Sequence, residues 1–331
     1  MPISSRHAPT VVVRPQATFL DYVRIARPDH WTKHSFILPG IAVASLLRSV
    51  SPMDRLGPIV IGLLSAAAIA SANYVLNEWL DAKYDAHHPT KANRPAVSRQ
   101  MSRSIVLLEY LALLALGLAG AASVSRLFLG ASMAFVVSGL VYNIPPIRTK
   151  DRVYLDVLSE AVNSPIRLTL GWAMIDSSTL PPGSLLLAFW MGGAYLMGVK
   201  RFAEQRTAHY ENTDQELKLY RASFEHYTTE SLLLSSFLYA QLAAFFLAVF
   251  LIKYRIEYLL VFPFLAALFT VYLWLGLRRG SPTQAPEKLF KSRALLTIVG
   301  FVAVALVVFT LVDIPILEQL TRPHLIDLPA P

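Results

Sequence analysis

No cysteine occurs among the 331 residues, which excludes disulfides, thiolate metal ligands and a cysteine nucleophile and leaves the redox compartment unread. Charge is scarce as well: 16% of residues are charged against 54% hydrophobic, with a mean hydropathy of +0.47, and this describes a polytopic membrane protein. A signal peptide is not expected, because the polar N-terminus with Arg6, Pro9, Arg14 and Pro15 has no apolar core followed by a small-residue cleavage site. There is no compact basic domain, so the formal charge of +8 does not point to nucleic acid. No short repeat and no soluble second domain stand out.

What fills the chain instead is apolar runs. Windows of about 17–25 residues predict about nine spans, near 35–52, 57–79, 104–122, 125–143, 154–175, 184–201, 231–252, 257–277 and 294–313. The fold class expected is therefore all-α integral membrane. Residues 1–20 are expected as a cytoplasmic tail, 21–315 as one transmembrane domain and 316–331 as a non-cytoplasmic tail. Nine spans with the N-terminus inside place most Lys and Arg in one set of loops, including Lys33, Lys91, Arg94, Lys150, Lys200 and Arg201. That asymmetry sets those loops in the cytoplasm.

At the end of the second span, Asn77, Asp81 and Asp85 follow one another at four-residue intervals. On a helix these positions share one face, so the amide and both carboxylates point into one space. Stacked acids repel unless a cation joins them. Carboxylates at the mouth of a membrane helix tend to be functional, and a hard divalent ion such as Mg2+ carrying a substrate phosphate suits such a pair. The expectation is a membrane enzyme acting on a diphosphate; the bland alternative is a set of interfacial acids solvated at the headgroups. Lys91 and Arg94 follow closely and are the right groups to hold a phosphate, although each also reads as positive-inside decoration.

Two further stretches on the same side gather polar groups. Tyr142-Asn143-Ile144-Pro145-Pro146 leads through Arg148, Lys150 and Arg152 to Asp156 and Glu160, a second four-residue carboxylate spacing. Acids also favour a helix N-terminus through its dipole, so this pair has a structural reading too. Asn163 and Arg167 continue the polar face into the membrane, where an arginine calls for a partner: Glu160 or a bound phosphate. The third stretch, Lys200-Arg201-Phe202-Ala203-Glu204, runs on towards Tyr220-Arg221 and Tyr227-Thr228 and suggests a cytoplasmic cap. Lys200 and Glu204 also fit a simple ion pair. The histidines His30, His34, His87 and His88 lack metal-ligand spacing.

These motifs resemble the UbiA prenyltransferase superfamily, whose members have nine transmembrane helices and two acidic motifs. The first, Asn-x3-Asp-x3-Asp, is matched by Asn77, Asp81 and Asp85, and the second, Asp-x3-Asp, only as Asp156 and Glu160. Within the superfamily, Arg27-Pro28-Asp29-His30-Trp31-Thr32-Lys33, Lys200-Arg201-Phe202-Ala203-Glu204, Tyr220-Arg221 and Tyr227-Thr228 are similar to decaprenyl-phosphate phosphoribosyltransferases. The resemblance implies a UbiA-type bundle with a cytoplasm-facing polar cavity in a bacterial inner membrane. It also implies Mg2+-dependent transfer of 5-phosphoribose from phosphoribosyl diphosphate to a polyprenyl phosphate, supplying a lipid-linked D-arabinose donor for a glycan that could be a nodulation oligosaccharide. Asn77, Asp81, Asp85, Asp156 and Glu160 would be catalytic, with Mg2+ on Asp81, Asp85 and Asp156. Lys33, Lys91, Arg94, Lys150, Arg167, Lys200, Arg201 and Glu204 would bind substrate. An aromatic prenyltransferase of quinone or haem biosynthesis is the alternative, a secondary transporter a more distant one, and a homo-oligomer is left open.

Overall fold

A backbone in hydrocarbon must satisfy its own N–H and C=O groups, so apolar runs of this length fold as helices. In the computed structural model, which describes residues 14–88, 91–278, 280–284 and 292–320, the order is α1 (Phe19–Ile25), α2 (Leu38–Arg48), α3 (Leu56–Asp85), α4 (Pro95–Ser98), α5 (Arg103–Val124), α6 (Arg126–Asn143), α7 (Leu155–Ala161), α8 (Asn163–Ile175), α9 (Gly183–Glu211), α10 (Asp214–Tyr220), α11 (Thr229–Tyr254), α12 (Phe262–Gly276), α13 (Arg293–Leu311) and α14 (Pro315–Leu320). Among the described residues the only β contact is an isolated bridge between Gln16 and Gln100. The expected terminal tails lie largely outside the described residues.

Each of the nine expected segments is helical, and among the described residues six stretches are long and apolar enough to cross a membrane: Pro52–Asp85, Arg103–Val124, Arg126–Asn143, Thr229–Tyr254, Ile256–Gly276 and Arg293–Leu311. The other three depart from the expectation. The first divides into a 3-10 helix, Pro28–Ile37, and the short α2. The fifth breaks at Val162, between α7 and α8. Pro165 is the cause, because it has no N–H to give to the Ala161 carbonyl. The sixth overruns its expected end by ten residues, to Glu211, because Ala, Glu, Gln and Arg sustain a helix outside the membrane; it stops at Asn212, whose φ of 55° is left-handed.

These departures position polar groups. The 30 residues of α3 reach roughly 45 Å, against an apolar slab of about 30 Å, so its last turns must leave the hydrocarbon. Asn77, Asp81 and Asp85 occupy those turns. The 29-residue α9 overshoots at the same end and carries Lys200, Arg201 and Glu204 there. Helix α3 packs along α5, α9 along α11, and α2 against α8. At the last contact only glycine fits: a Cβ on Gly40 would stand 2.1 Å from the Leu168 carbonyl, and one on Gly171 2.2 Å from that of Ile37.

Inside the bundle, Ile41, Ile69, Phe128, Phe135 and Trp172 form one apolar core, and Val157, Tyr195, Val199 and Tyr272 a second. Outside it, Leu108, Leu234, Phe301 and Leu311 are among many exposed apolar side chains. Burying that surface in lipid removes the penalty it would carry in water.

Candidate active site

The three residues at four-residue intervals on α3 do share a face. Asn77 Nδ2 donates to Asp81 Oδ2 at 3.3 Å and to Asn143 Oδ1 at 2.5 Å. Asp81 Oδ1 accepts from Lys150 Nζ at 2.5 Å and from Arg148 Nη2 at 2.9 Å, and Lys150 also reaches Asn143 Oδ1 at 2.7 Å. One turn on, Asp85 Oδ2 accepts from Arg94 Nη1 at 2.5 Å. Each acid thus holds cations of its own. Burial pushes the Lys150 ammonium down to about 8, against the pull of the Asp81 carboxylate. Arg148 is fixed from the other side by Asp151 at 2.6 Å, and its φ of 28° is a left-handed backbone disfavoured for a side chain of its size. Strain of that kind gathers at functional sites.

A second network begins at Asp156, which is completely buried. Its Oδ1 accepts from the Tyr227 hydroxyl at 2.6 Å, and its Oδ2 from Arg201 Nε and Ser223 Oγ, both at 3.2 Å, with Arg221 Nη1 at 3.6 Å. Arg201 spends its remaining donors on Glu160, at 2.8 Å, and on Glu204, at 2.9 Å. Glu160 also accepts from the Tyr142 hydroxyl at 2.9 Å. One guanidinium is therefore shared by three carboxylates. The expected Lys200–Glu204 pair is replaced by Arg201–Glu204; Lys200 acts on Glu160 and Glu204 only through its charge.

The two networks meet under a cap. Lys91 Nζ donates to the Tyr220 hydroxyl and lies 4.1 Å from that ring's centroid, while the His88 ring meets Tyr220 edge-on at 4.7 Å. Burial lowers Lys91, and raises the Tyr220 phenol less than Lys91 and Arg221 lower it, to about 8. The neighbouring Arg221 reaches the Tyr142 hydroxyl at 3.1 Å.

A hard divalent ion suits Asp81 and Asp85: their carboxylates stand one turn apart on α3, the Asn77 amide lies beside Asp81, whose side chain keeps 14% of its exposure, and their cations come from loops. Asp156 does not suit one. Its Oδ1 and Oδ2 accept from Tyr227, Ser223 and Arg201 in the buried interior, so a divalent ion there would have to displace those donors. Of the three acids expected to hold Mg2+, Asp81 and Asp85 lie together on α3 and Asp156 stands on α7, ion-paired with Arg201 and Arg221. Lys33 has its side chain outside the described residues. Arg167 lies deeper, on α8, in electrostatic reach of Glu160 but in no recorded contact with either acid pair.

The sequence marked Tyr142, Asn143, Arg148, Tyr220, Arg221 and Tyr227 as part of polar stretches without giving them site roles, and it passed over Ser223. Asn143 ties Asn77 to Lys150 from the end of α6, and only its place before the Pro145-Pro146 break signalled it.

The sequence pattern of the UbiA prenyltransferase family matches residues 36–295. Nodulation protein NoeC of Azorhizobium caulinodans is 26% identical over 187 residues, 56% of this chain and 58% of that protein. A lycopene elongase/hydratase of Haloarcula japonica is 25% identical over 197 residues, 59% of this chain and 64% of that protein. The matched part is thus less than two thirds of either relative's length. A UbiA homologue from Archaeoglobus fulgidus, bound to DMAPP and Mg2+, superposes with a TM-score of 0.66 at 24% identity, covering 88% of this chain and 100% of that one.

Proposed function

The chain belongs to the UbiA prenyltransferase family, and on that premise we propose that it transfers 5-phosphoribose from phosphoribosyl diphosphate to a polyprenyl phosphate, releasing diphosphate. The observation that carries this reading is a second group of cations. A prenyl diphosphate brings one diphosphate and an apolar tail, and the group around Asp81 and Asp85 already matches it. Here a second cationic group, Lys91, Lys200, Arg201 and Arg221, stands around Asp156, Glu160 and Glu204. A sugar donor with a diphosphate at one end and a phosphate at the other calls for two.

In this mechanism Arg94, Arg148 and Lys150 bind the diphosphate and Asn77 orients Asp81, while Arg221, Lys200 and Lys91 meet the 5-phosphate under the cap. Asp81 and Asp85 would hold Mg2+, which would supply charge to neutralise the leaving diphosphate. An acceptor phosphate oxygen forms the new bond to C1 as the bond to diphosphate breaks, the electron pair leaving with diphosphate. The acceptor is already an anion, so no strong general base is needed, and positioning with electrostatics does the work. The Lys and Arg asymmetry of the loops supports a cytoplasmic site in a bacterial inner membrane. The product would be a lipid-linked precursor of D-arabinose donors, and a nodulation oligosaccharide is one acceptor that fits.

Prenyl transfer to an aromatic acceptor is the second reading, favoured by the DMAPP in the Archaeoglobus fulgidus homologue. Purified protein with Mg2+, polyprenyl phosphate and radiolabelled phosphoribosyl diphosphate tests between them. Label entering the lipid phase is expected. No label there, with prenylation of 4-hydroxybenzoate from a prenyl diphosphate, would overturn the proposal.

A further inference from the structure

Arg167 is a membrane-embedded cation that forms no salt bridge among the described residues, with Glu160 acting on it only at a distance. Its Nε is buried and has no hydrogen-bond partner, and its guanidinium rests 5.5 Å from the centroid of the Phe135 ring. Glu160, the acid that the sequence offered it, is taken by Arg201 at 2.8 Å and by Tyr142 at 2.9 Å. The three carboxylates of that network face Arg201, Arg221 and Lys200, so they are balanced before Arg167 is counted. An unbalanced charge among apolar helices costs several kcal/mol and marks a ligand path.

His34, Tyr74 and Glu160 lie within the electrostatic reach of Arg167, and His34 Nδ1 is itself buried without a partner. Asn163, one turn before Arg167, accepts from Ser138 at 2.9 Å. Arg167 follows Glu160 by seven positions, roughly 10 Å deeper along the α7–α8 line. A free phosphate has no reason to sit there, whereas a phosphate on an isoprenoid tail does, since the tail remains in hydrocarbon.

We propose that Arg167 binds the phosphate of the acceptor lipid. The assignment rests on the functional reading above and adds its direction: the diphosphate leaves at the mouth, beside Asp81 and Asp85, and the acceptor oxygen attacks C1 from the membrane side. The opposed placement is what a displacement at C1 requires.

Two measurements on the purified full chain in detergent separate this proposal from the reading it rests on. The first is thermal stabilisation by polyprenyl phosphate, by the same polyprenol without phosphate and by inorganic phosphate. Wild type should be stabilised by the first alone, Arg167→Met by none, and Arg167→Lys in part. The second is steady-state transfer. Arg167→Met should raise the acceptor KM by roughly tenfold to a hundredfold, the loss of a charge-assisted contact, and leave the phosphoribosyl diphosphate KM within about twofold. Transfer by Arg167→Met with an unchanged acceptor KM would overturn the assignment and leave the reading standing. Arg167-dependent stabilisation without any phosphoribosyl transfer would do the reverse. Stabilisation by inorganic phosphate as strong as by the lipid would also overturn the assignment, and so would a wild type that polyprenyl phosphate does not stabilise.

Discussion

Two carboxylate pairs have the same four-residue spacing, Asp81 with Asp85 on α3 and Asp156 with Glu160 on α7, yet their surroundings differ. In the first, each acid has its own cations, brought by loops: Arg148 and Lys150 to Asp81, Arg94 to Asp85. In the second, both acids share Arg201, which comes from within the long α9 and has Glu204 as a third partner. Exchanging a partner in the first pair breaks the contacts of one acid only. In the second it would strand a buried arginine, which is costly. Spacing puts acids on one face; the origin and sharing of their cations decide whether those acids can serve a ligand or must hold the scaffold.

The largest effect expected from this difference is at Arg201. Arg201→Met should remove about 3–5 kcal/mol of stability, because it leaves Asp156, Glu160 and Glu204 without their common partner in a buried place. The melting temperature in detergent reads this directly, and Arg201→Lys should fall between the two because it keeps the charge but loses the fork. A variant that melts like wild type would mean that the second pair is not held through this arginine, and the contrast between the pairs would lose its basis.

Next in size is a crossed comparison of one acid from each pair. Asp81→Asn should lower turnover by about 10²- to 10³-fold, the usual cost of removing charge stabilisation from a transition state, while shifting the melting temperature little. Asp156→Asn should do the opposite: about 1.5–3 kcal/mol of stability lost with its charged hydrogen bonds, and turnover reduced only about tenfold through displaced arginines. Turnover lost to the Asp81→Asn degree in Asp156→Asn, with an unchanged melting temperature, would return Asp156 to the metal.

Periodicity and spacing made the first pair legible, because Asn77, Asp81 and Asp85 lie on one uninterrupted helix whose apolar run also fixes its depth. The second pair could be read only as acids on one face. Its partners come from α9, the segment after α10 and the start of α11, and nothing local to Asp156 says that Tyr227, Ser223 and Arg221 will fill its lone pairs. Helix α9 misled in a related way: the hydropathy run ends near Lys200, but helix propensity carries the chain on to Glu211 and swings Arg201 inward, with Lys200 beside it. The break at Val162 could have been anticipated from Pro165, yet the apolar composition of that segment concealed it. Arg167 was recognisable as a buried charge in need of a partner, and only the structure shows that Glu160, bonded to Arg201 and Tyr142, acts on it without touching it.

The smallest effect tests the joint between the pairs, where the loop after Asp85 meets α10. His88 packs edge-on against Tyr220, and burial, with Lys91 next to it, pushes its imidazole from 6.5 down to about 4. The unfolded chain therefore binds an extra proton between about pH 6.5 and 4, so the stability contributed by neutral His88 is complete above 6.5 and declines as the pH falls through that window. Because the ring is only partly buried, the expected change is a fall of a few degrees in melting temperature between pH 7 and 5. His88→Phe keeps a ring against Tyr220 but cannot take up the proton, and its melting temperature should vary less over the same range. An unchanged slope in this variant would mean that the acid sensitivity arises within one of the two carboxylate networks and that the cap does not link them.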